Sequence, residues 1–203
     1  CMDSPDEETR FNAAFALNKL AMAEENIVKI GASGSIPRLI NMLTLDSAVG
    51  IAQATAVLRH LAMNIENRTI MLNSNLLDPL SSVAVLKDFE TLREVAALCC
   101  LLSLTDSLRM PIVASNVIVP LTALCGHEDV EIGRQACGAL ANCAEAKRTH
   151  KRLATHAHAM QLARLKRVMV VSAELDARDD PLLPDLVAVE QNLDAPLHCA
   201  DRR

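Results

Sequence analysis

The chain has 203 residues, an apolar fraction of 51% and a formal net charge of -5. This length and composition supply enough apolar material for one domain or one continuous repeat array. The negative charge, together with the absence of Trp and Tyr, disfavours a nucleic-acid binder, because such proteins need basic surfaces and aromatic rings on which bases stack. No apolar run approaches the roughly 18 residues of a membrane-spanning helix, and no apolar signal segment follows Cys1.

The seven cysteines show no CxxC spacing, and most of them lie among apolar residues. This pattern predicts reduced, buried thiols in a cytoplasmic protein, with the nucleus and the cytoskeleton left open. The string Cys125-Gly126-His127 and the histidines at 150, 156 and 158 lack the usual spacing of zinc ligands. No nucleotide-binding or hydrolase motif occurs. We therefore predict no enzyme activity, no metal site and no cofactor.

In chain order, four similar segments begin at Ala13, Ala54, Ala97 and Ala136, with nearly equal spacing between successive starts. In each segment apolar residues occupy positions i, i+3, i+4 and i+7, which predicts a long helix with one buried face. The resulting period of about 40 residues falls in the range seen for HEAT and armadillo units and outside that of ankyrin and tetratricopeptide units.

A second repeated block lies between these segments. One position holds Gly34, Asn75 or Asn116, residue types that tolerate the left-handed conformation closing a helix. A proline follows within a few residues, as expected in the first turn of a new helix; these are Pro37, Pro79 and Pro120. Each unit is thus predicted to contain a short helix, as over 26–31 and 67–73, a proline-started helix and a long helix.

This order of elements, with the phrases GSIPRLINML and QACGALANCAE, resembles the armadillo repeat family. The resemblance implies an all-α fold, a right-handed α-α superhelix (an armadillo-type solenoid) of about four repeats with partial first and last units. The predicted array covers residues 1–171, with units over 6–23, 26–63, 67–105, 108–144 and 147–171. The acidic segment 172–203 fits either a capping helix over 183–193 or a disordered tail, and the sequence does not choose between them.

The resemblance further implies that the third helices line a concave groove holding an extended peptide of a partner protein. Counting positions from the first residue of each of the four segments gives five candidate groove residues: Lys19, Arg59, His60, Ser103 and Asn142. Only Asn142 matches the groove asparagine of the family, and Gly138 stands where importin-type grooves place a Trp. A receptor for nuclear localisation signals is therefore not expected. Lys19, Arg59 and His60 favour an acidic or amidated extended segment as ligand over a basic one.

A basic run at 147–167 provides a second candidate site, a patch of Lys147, Arg148, Lys151 and Arg152 for an anionic partner. The function predicted from the sequence is a scaffold or adaptor for protein partners. Two alternatives stay open: the substrate-recognition part of a larger ubiquitin ligase, and an adaptor associated with a membrane or the cytoskeleton. Self-association through uncapped ends of the array is a further expectation.

Overall fold

A computed structural model describes residues 1–144 of the chain, and this part is entirely helical apart from its connections. The helices, in chain order, are α1 Glu7–Ala21, α2 Glu24–Ala32, α3 Ser35–Leu45, α4 Ala48–Leu61, α5 Ile65–Asn73, α6 Leu77–Val83, α7 Phe89–Ser103, α8 Asp106–Ala114, α9 Ile118–Leu124 and α10 Val130–Ala144. The predicted last unit 147–171 and the segment 172–203, with its candidate helix 183–193, lie outside the described residues.

The helices follow a three-helix repeat. Helices α2–α4, α5–α7 and α8–α10 each comprise a first helix of nine residues, a second helix of varying length and a third helix of 14 or 15 residues. Helix α1 is a third helix by length and position. The third helices begin at positions 7, 48, 89 and 130, so their starts are equally spaced, and we call this spacing the repeat interval. The first helices predicted over 26–31 and 67–73 exist and are longer than expected, as α2 and α5.

The turns between first and second helices agree with the prediction in two units of three. Gly34 has a φ of 77° and Asn75 has a φ of 59°, so both take the left-handed conformation. The prediction for Asn116 was wrong, because Asn75 is the only non-glycine residue of positive φ in the described chain. There Ser115 leaves α8 with a ψ of 168°, and this extended residue turns the chain before Asn116 is reached. The three prolines lie third in α3, α6 and α9, where the missing N–H costs no hydrogen bond.

Most third helices start with the same aspartate cap. Asp6 and Asp88 each accept the backbone N–H three residues later at 2.8 Å, and Asp129 accepts from Ile132 at 3.2 Å. Hydrogen bonding to the charged form lowers the pKa of each of these carboxyls; for Asp6 the bonds come from Thr9, for Asp88 from Thr91 and for Asp129 first from Arg93. The caps lie whole repeat intervals apart, and they fix where these long helices begin.

The third helices pack side by side, α1 on α4, α4 on α7 and α7 on α10. Small side chains at one repeated position permit this close approach; they are Ala14, Thr55, Ala96 and Cys137, all buried. Each of α4, α7 and α10 also packs against the second helix of its own unit. Large aliphatic side chains fill the space between these layers, and Leu39, Leu58 and Leu98 are fully buried there.

This packing corrects the alignment of the third unit. The constant repeat interval makes Val95 the equivalent of Ala54 and Ala136, and all three are fully buried. The sequence alignment uses Ala97 instead, which lies two residues after Val95 and is only partly buried. Helix α7 is apolar on most sides over Val95–Leu102, so its periodicity alone allowed either alignment.

A buried asparagine joins neighbouring units. The side-chain N–H groups of Asn67 in α5 donate to the carbonyl oxygens of Ile27 at 3.2 Å and Leu61 at 3.0 Å. The side chain fits because Gly31 in α2 lies against it: a Cβ atom at Gly31 would lie 1.8 Å from Asn67 Oδ1. Asn67 is 3% exposed. This contact ties α2, the end of α4 and α5 together.

No single helix within residues 1–144 is long and apolar enough to cross a membrane. Helices α8 and α9 reach that length and composition only as a pair, and they are bent at 96° to each other.

Four cysteines of the described chain are buried, and we expect the thiols of two of them, Cys99 and Cys143, to resist alkylation. Burial raises the pKa of Cys99 to about 12 and that of Cys143 to about 11, whereas Cys1 is exposed. Only a thiolate reacts, so at pH 8 Cys99 should react about 10³-fold more slowly than Cys1. Peptide mapping by mass spectrometry after timed N-ethylmaleimide labelling measures the ratio, with labelling in urea as the control. Equal rates in the folded chain would contradict the packing of α7.

Candidate functional site

The third helices leave one strip of their surface uncovered. On α1 this strip consists of Glu8, Phe11, Asn12, Phe15, Asn18, Lys19 and the following Met22. On α4, α7 and α10 it consists of the residues that lie one, two and three repeat intervals further along the chain. None of the described residues at these positions is buried, while almost all other positions of α4, α7 and α10 beyond the first turn are. We call this strip the open stripe. Because α1, α4, α7 and α10 pack side by side, it runs across four helices.

At the α1 end, the open stripe is aromatic and cationic. The rings of Phe11 and Phe15 stack with their centroids 6.2 Å apart, and Lys19 Nζ lies 5.2 Å from the centroid of Phe15. Phe15 is 43% exposed. Lys19 forms no ion pair with any residue of the described chain. An ammonium over a ring face is stabilised by the ring quadrupole, so this end already contains its own cation–aromatic contact.

The middle of the open stripe is crossed by contacts between neighbouring third helices. Arg59 of α4 forms an ion pair with Glu94 of α7, and its guanidinium also approaches His60 Nε2 at 2.9 Å. Burial, and next the charge of Arg59, lower the pKa of His60. The equivalent contact one unit earlier is uncharged, since Asn18 donates to Gln53 at 3.3 Å. Arg59 is thus neutralised by the protein itself.

The α10 end of the open stripe is polar. Asn142 donates through Nδ2 to Ser103 Oγ at 3.0 Å, and Ser103 Oγ donates in turn to the carbonyl oxygen of Cys100 at 2.6 Å. This arrangement leaves Asn142 Oδ1 without a hydrogen-bond partner in the part of the chain that the structure describes. Gln135 Nε2 donates to Glu131 Oε1 at 2.8 Å. The hydrogen bond to Ser103 fixes the side-chain amide of Asn142, so the carbonyl oxygen of Asn142 can accept a hydrogen bond from a ligand.

Four of the five candidate residues, Lys19, Arg59, His60 and Asn142, lie in the open stripe. Ser103 does not: it is fully buried, because the corrected alignment makes it the equivalent of Ala62, and Leu101 takes its place in the stripe. Ser103 instead holds the side chain of Asn142 through a hydrogen bond. The basic patch of Lys147, Arg148, Lys151 and Arg152 lies outside the described residues, and its binding role stays a prediction.

Sequence reasoning missed several residues of the open stripe, among them Gln53, Glu94, Met22, Met63 and Leu104. Glu94 and Gln53 are equivalents at one position, each contacting the unit before it. The equal spacing from Gly34 to Asn75 and from Asn75 to Asn116 was the signal that could have found them, since it already carried the correct alignment.

Three-helix units of constant length, with their third helices side by side and their second helices behind, define the armadillo repeat fold. Solved structures with this fold resemble the chain over most of its length. A designed armadillo repeat protein superposes with a TM-score of 0.74 at 18% identity, covering 97% of this chain and 91% of that one. A second designed armadillo repeat protein, in complex with the peptide (KR)4, gives a TM-score of 0.72 at 16% identity, covering 91% and 92%.

Among curated proteins, Vacuolar protein 8 of Candida albicans (strain SC5314 / ATCC MYA-2876) is 25% identical over 194 aligned residues. The match covers 74% of this chain and 33% of that protein, so the chain spans about a third of the length of this relative. No family model matches the sequence. The three-helix units and the likeness to these solved structures make the chain an armadillo-type repeat protein by its fold.

Proposed function

We propose that this protein is a scaffold that binds extended segments of partner proteins along the open stripe. The observation that carries the proposal is the continuity of this stripe across α1, α4, α7 and α10. Each helix presents the same positions to a ligand, so a chain lying across the helices meets a similar surface in every unit. The peptide complex of a designed protein with this fold supports such a binding mode.

The amides of the open stripe suit an extended backbone, whose N–H and C=O groups have no internal partners. Asn142 offers its carbonyl oxygen as an acceptor, and Gln53, which uses its oxygen to accept from Asn18, offers its N–H groups as donors. These two amides lie on α10 and α4, so they can hold a segment at two separated points.

The charges of the open stripe do not select an acidic ligand. Arg59 is paired with Glu94, Arg134 with Glu131, and Arg93 with Asp129. Four glutamates and four basic residues occupy the stripe; they are Glu8, Glu90, Glu94, Glu131, Lys19, Arg59, Arg93 and Arg134. The preference for acidic segments expected from the sequence therefore loses its support, since Lys19 is the one Lys or Arg side chain without an ion pair in the described stripe.

Peptide arrays probed with the full chain, followed by fluorescence anisotropy on the peptides retained, test the proposal. We expect Asn142→Ala and Gln53→Ala each to weaken binding about five- to tenfold, since a lost hydrogen bond costs about 1 kcal/mol. Asn41→Ala is the matched control, because Asn41 is an exposed asparagine on α3. An array that retains no peptide, or equal losses in the control, would refute the proposal.

A further inference from the structure

We infer that Cys125 and Cys137 are a redox-active thiol pair, which peroxide closes into a reversible disulfide that ties α9 to α10. The two cysteines belong to the second and third helices of one unit and lie outside the open stripe. Three observations support this chemistry: the contact between the thiols, the hydrogen bond that makes them unequal, and the residues at the same positions one repeat interval earlier.

The two cysteines face each other where the end of α9 meets α10. Cys125 follows the last residue of α9, and its carbonyl oxygen lies 3.4 Å from the position of a Cβ atom built at Gly133. Cys137 comes four residues after Gly133, so it lies on the same face of α10 one turn further on. A side-chain hydrogen bond joins the two thiols, which are 1% and 3% exposed. A disulfide requires cysteines whose side chains point at each other, and these two side chains already do.

The hydrogen bond makes the two thiols chemically unequal. Donation from Cys125 stabilises the thiolate of Cys137 and lowers the pKa of Cys137. The same hydrogen bond, and next burial, raise the pKa of Cys125, whose S–H also donates to the carbonyl oxygen of Leu121 at 3.6 Å. Burial raises the pKa of Cys99 to about 12. Because the thiolate is the nucleophile, Cys137 attacks the oxidant and Cys125 resolves the product.

The packing at these two positions does not require sulfur. One repeat interval earlier, the equivalents of Cys125 and Cys137 are Ala84 and Ala96, which are buried at 4% and 0% exposed. Ala84 caps the end of α6 as Cys125 caps the end of α9, and α6 packs against α7 as α9 packs against α10. Alanine is therefore sufficient to fill such positions, and the thiol pair adds reactivity to a place where only size is constrained.

The oxidant is hydrogen peroxide, and the reaction balances without any other group. The thiolate of Cys137 attacks one peroxide oxygen: an S–O bond forms, the O–O bond breaks, and the departing hydroxide takes up a proton and leaves as water. The sulfur of Cys125 then gives up its proton and attacks the sulfur of Cys137. The S–S bond forms, the S–O bond breaks and a second water leaves. Two thiols thus lose two electrons and two protons, and a small-molecule thiol reverses the step by exchange.

Peroxide reaches the buried sulfurs when the end of α9 opens. Helix α9 has seven residues, and Cys125 lies at its carboxyl end. Helix ends open locally at a low free-energy cost, and hydrogen peroxide is hardly larger than water. Cys99 instead lies within α7, which is packed between α4 and α10. We therefore expect Cys99 to keep its thiol under conditions that oxidise the pair.

Peroxide treatment of the reduced full chain tests the pair. The protein is treated with hydrogen peroxide, quenched with catalase, alkylated with N-ethylmaleimide in urea and digested with trypsin, which cleaves after Arg134 between the two cysteines. We expect a linked pair of peptides that dithiothreitol separates, with fragment spectra locating the link at Cys125 and Cys137, while Cys99 carries the label. Oxidation of the exposed Cys1 shows that the peroxide was active. If Cys1 is oxidised and this link is absent, or if Cys125 links equally to other cysteines, the inference is overturned.

Thermal melting followed by circular dichroism shows whether the disulfide fits the folded chain. Closing this short loop restricts the unfolded state, so peroxide should raise the melting midpoint by about 5–10 °C, and dithiothreitol should reverse the rise. Both proteins carry Cys1→Ser to prevent intermolecular disulfides. The matched control adds Cys125→Ala and Cys137→Ala, which copy the pair Ala84 and Ala96, and its midpoint should not respond to peroxide. A linked chain whose midpoint does not rise, or a control that responds equally, overturns the inference.

Discussion

Leu61→Ala is expected to lower the free energy of unfolding by about 2–5 kcal/mol, and Leu20→Ala by less than about 1 kcal/mol. The two leucines occupy the same position of α4 and α1, one repeat interval apart. Leu61 is fully buried, whereas Leu20 is 52% exposed. The cost of a Leu→Ala change follows the apolar burial that is removed and the cavity that remains, so identical chemistry should give different results in the two units.

The difference arises from what covers each helix. Helix α4 packs against α2 and α3, which precede it, and against α1 and α7. Helix α1 has only α2 and α4, which follow it, as main neighbours within the described chain. The face of α1 that carries Leu20 is therefore open to solvent, as the exposure of Ala16 on the same face also shows.

Urea denaturation followed by circular dichroism measures both free energies, and Leu102→Ala provides the control. Leu102 is the equivalent residue of α7 and is 2% exposed, so it should behave like Leu61. Similar losses for Leu20→Ala and Leu61→Ala would contradict the alignment of the units.

Gly31→Ala is expected to cost about 2–4 kcal/mol of stability, a large penalty for one added methyl group. The added Cβ would lie 1.8 Å from Asn67 Oδ1, so Asn67 must move and lose its bonds to Ile27 and Leu61. The cost combines overpacking with two buried carbonyl groups left short of a donor. Asn67→Ala alone should cost about 1–3 kcal/mol, because it loses the bonds without overpacking.

A double-mutant cycle tests whether this contact is the cause. With Ala at 67 the obstacle is gone, and alanine is a better helix former than glycine by up to about 1 kcal/mol. Gly31→Ala should then cost less than about 1 kcal/mol, so the double variant is more stable than the sum of single effects predicts. Urea denaturation of the four proteins gives the coupling free energy. Additive free energies would show that the glycine is required for another reason.

The repeat pattern predicted most of the fold because several independent sequence signals recur in each unit and indicate the same helices. The small residue on the third helix, the glycine or asparagine of the turn and the following proline all recur once per unit. Helix existence and order follow from these signals, and the left-handed Gly34 and Asn75 were confirmed. The prediction of a left-handed Asn116 was wrong because this turn depends on the backbone conformation of the neighbouring Ser115. The identity of the residue at 116 does not determine that conformation.

The candidate site was predicted less completely, for two physical reasons. In α7 apolar residues occur on nearly every side, so hydrophobic periodicity could not distinguish Ala97 from Val95 as the aligned residue, and Ser103 was misplaced with it. The pairing of Arg59 with Glu94 joins two helices, and analysis of one helix at a time treats each charge as free. Contacts between units appear only when equivalent positions are compared across units.

The constant repeat interval also bears on how such a protein changes over evolutionary time. The third helices begin at equal intervals and pack side by side, so a substitution at a stripe position that contacts no neighbouring unit changes the surface of one helix and leaves the packing between helices as it was. Phe15, Ala56, Ala97 and Gly138 show different solutions at one such position. If the open stripe binds partner segments as proposed, its preference can therefore change one helix at a time at such positions.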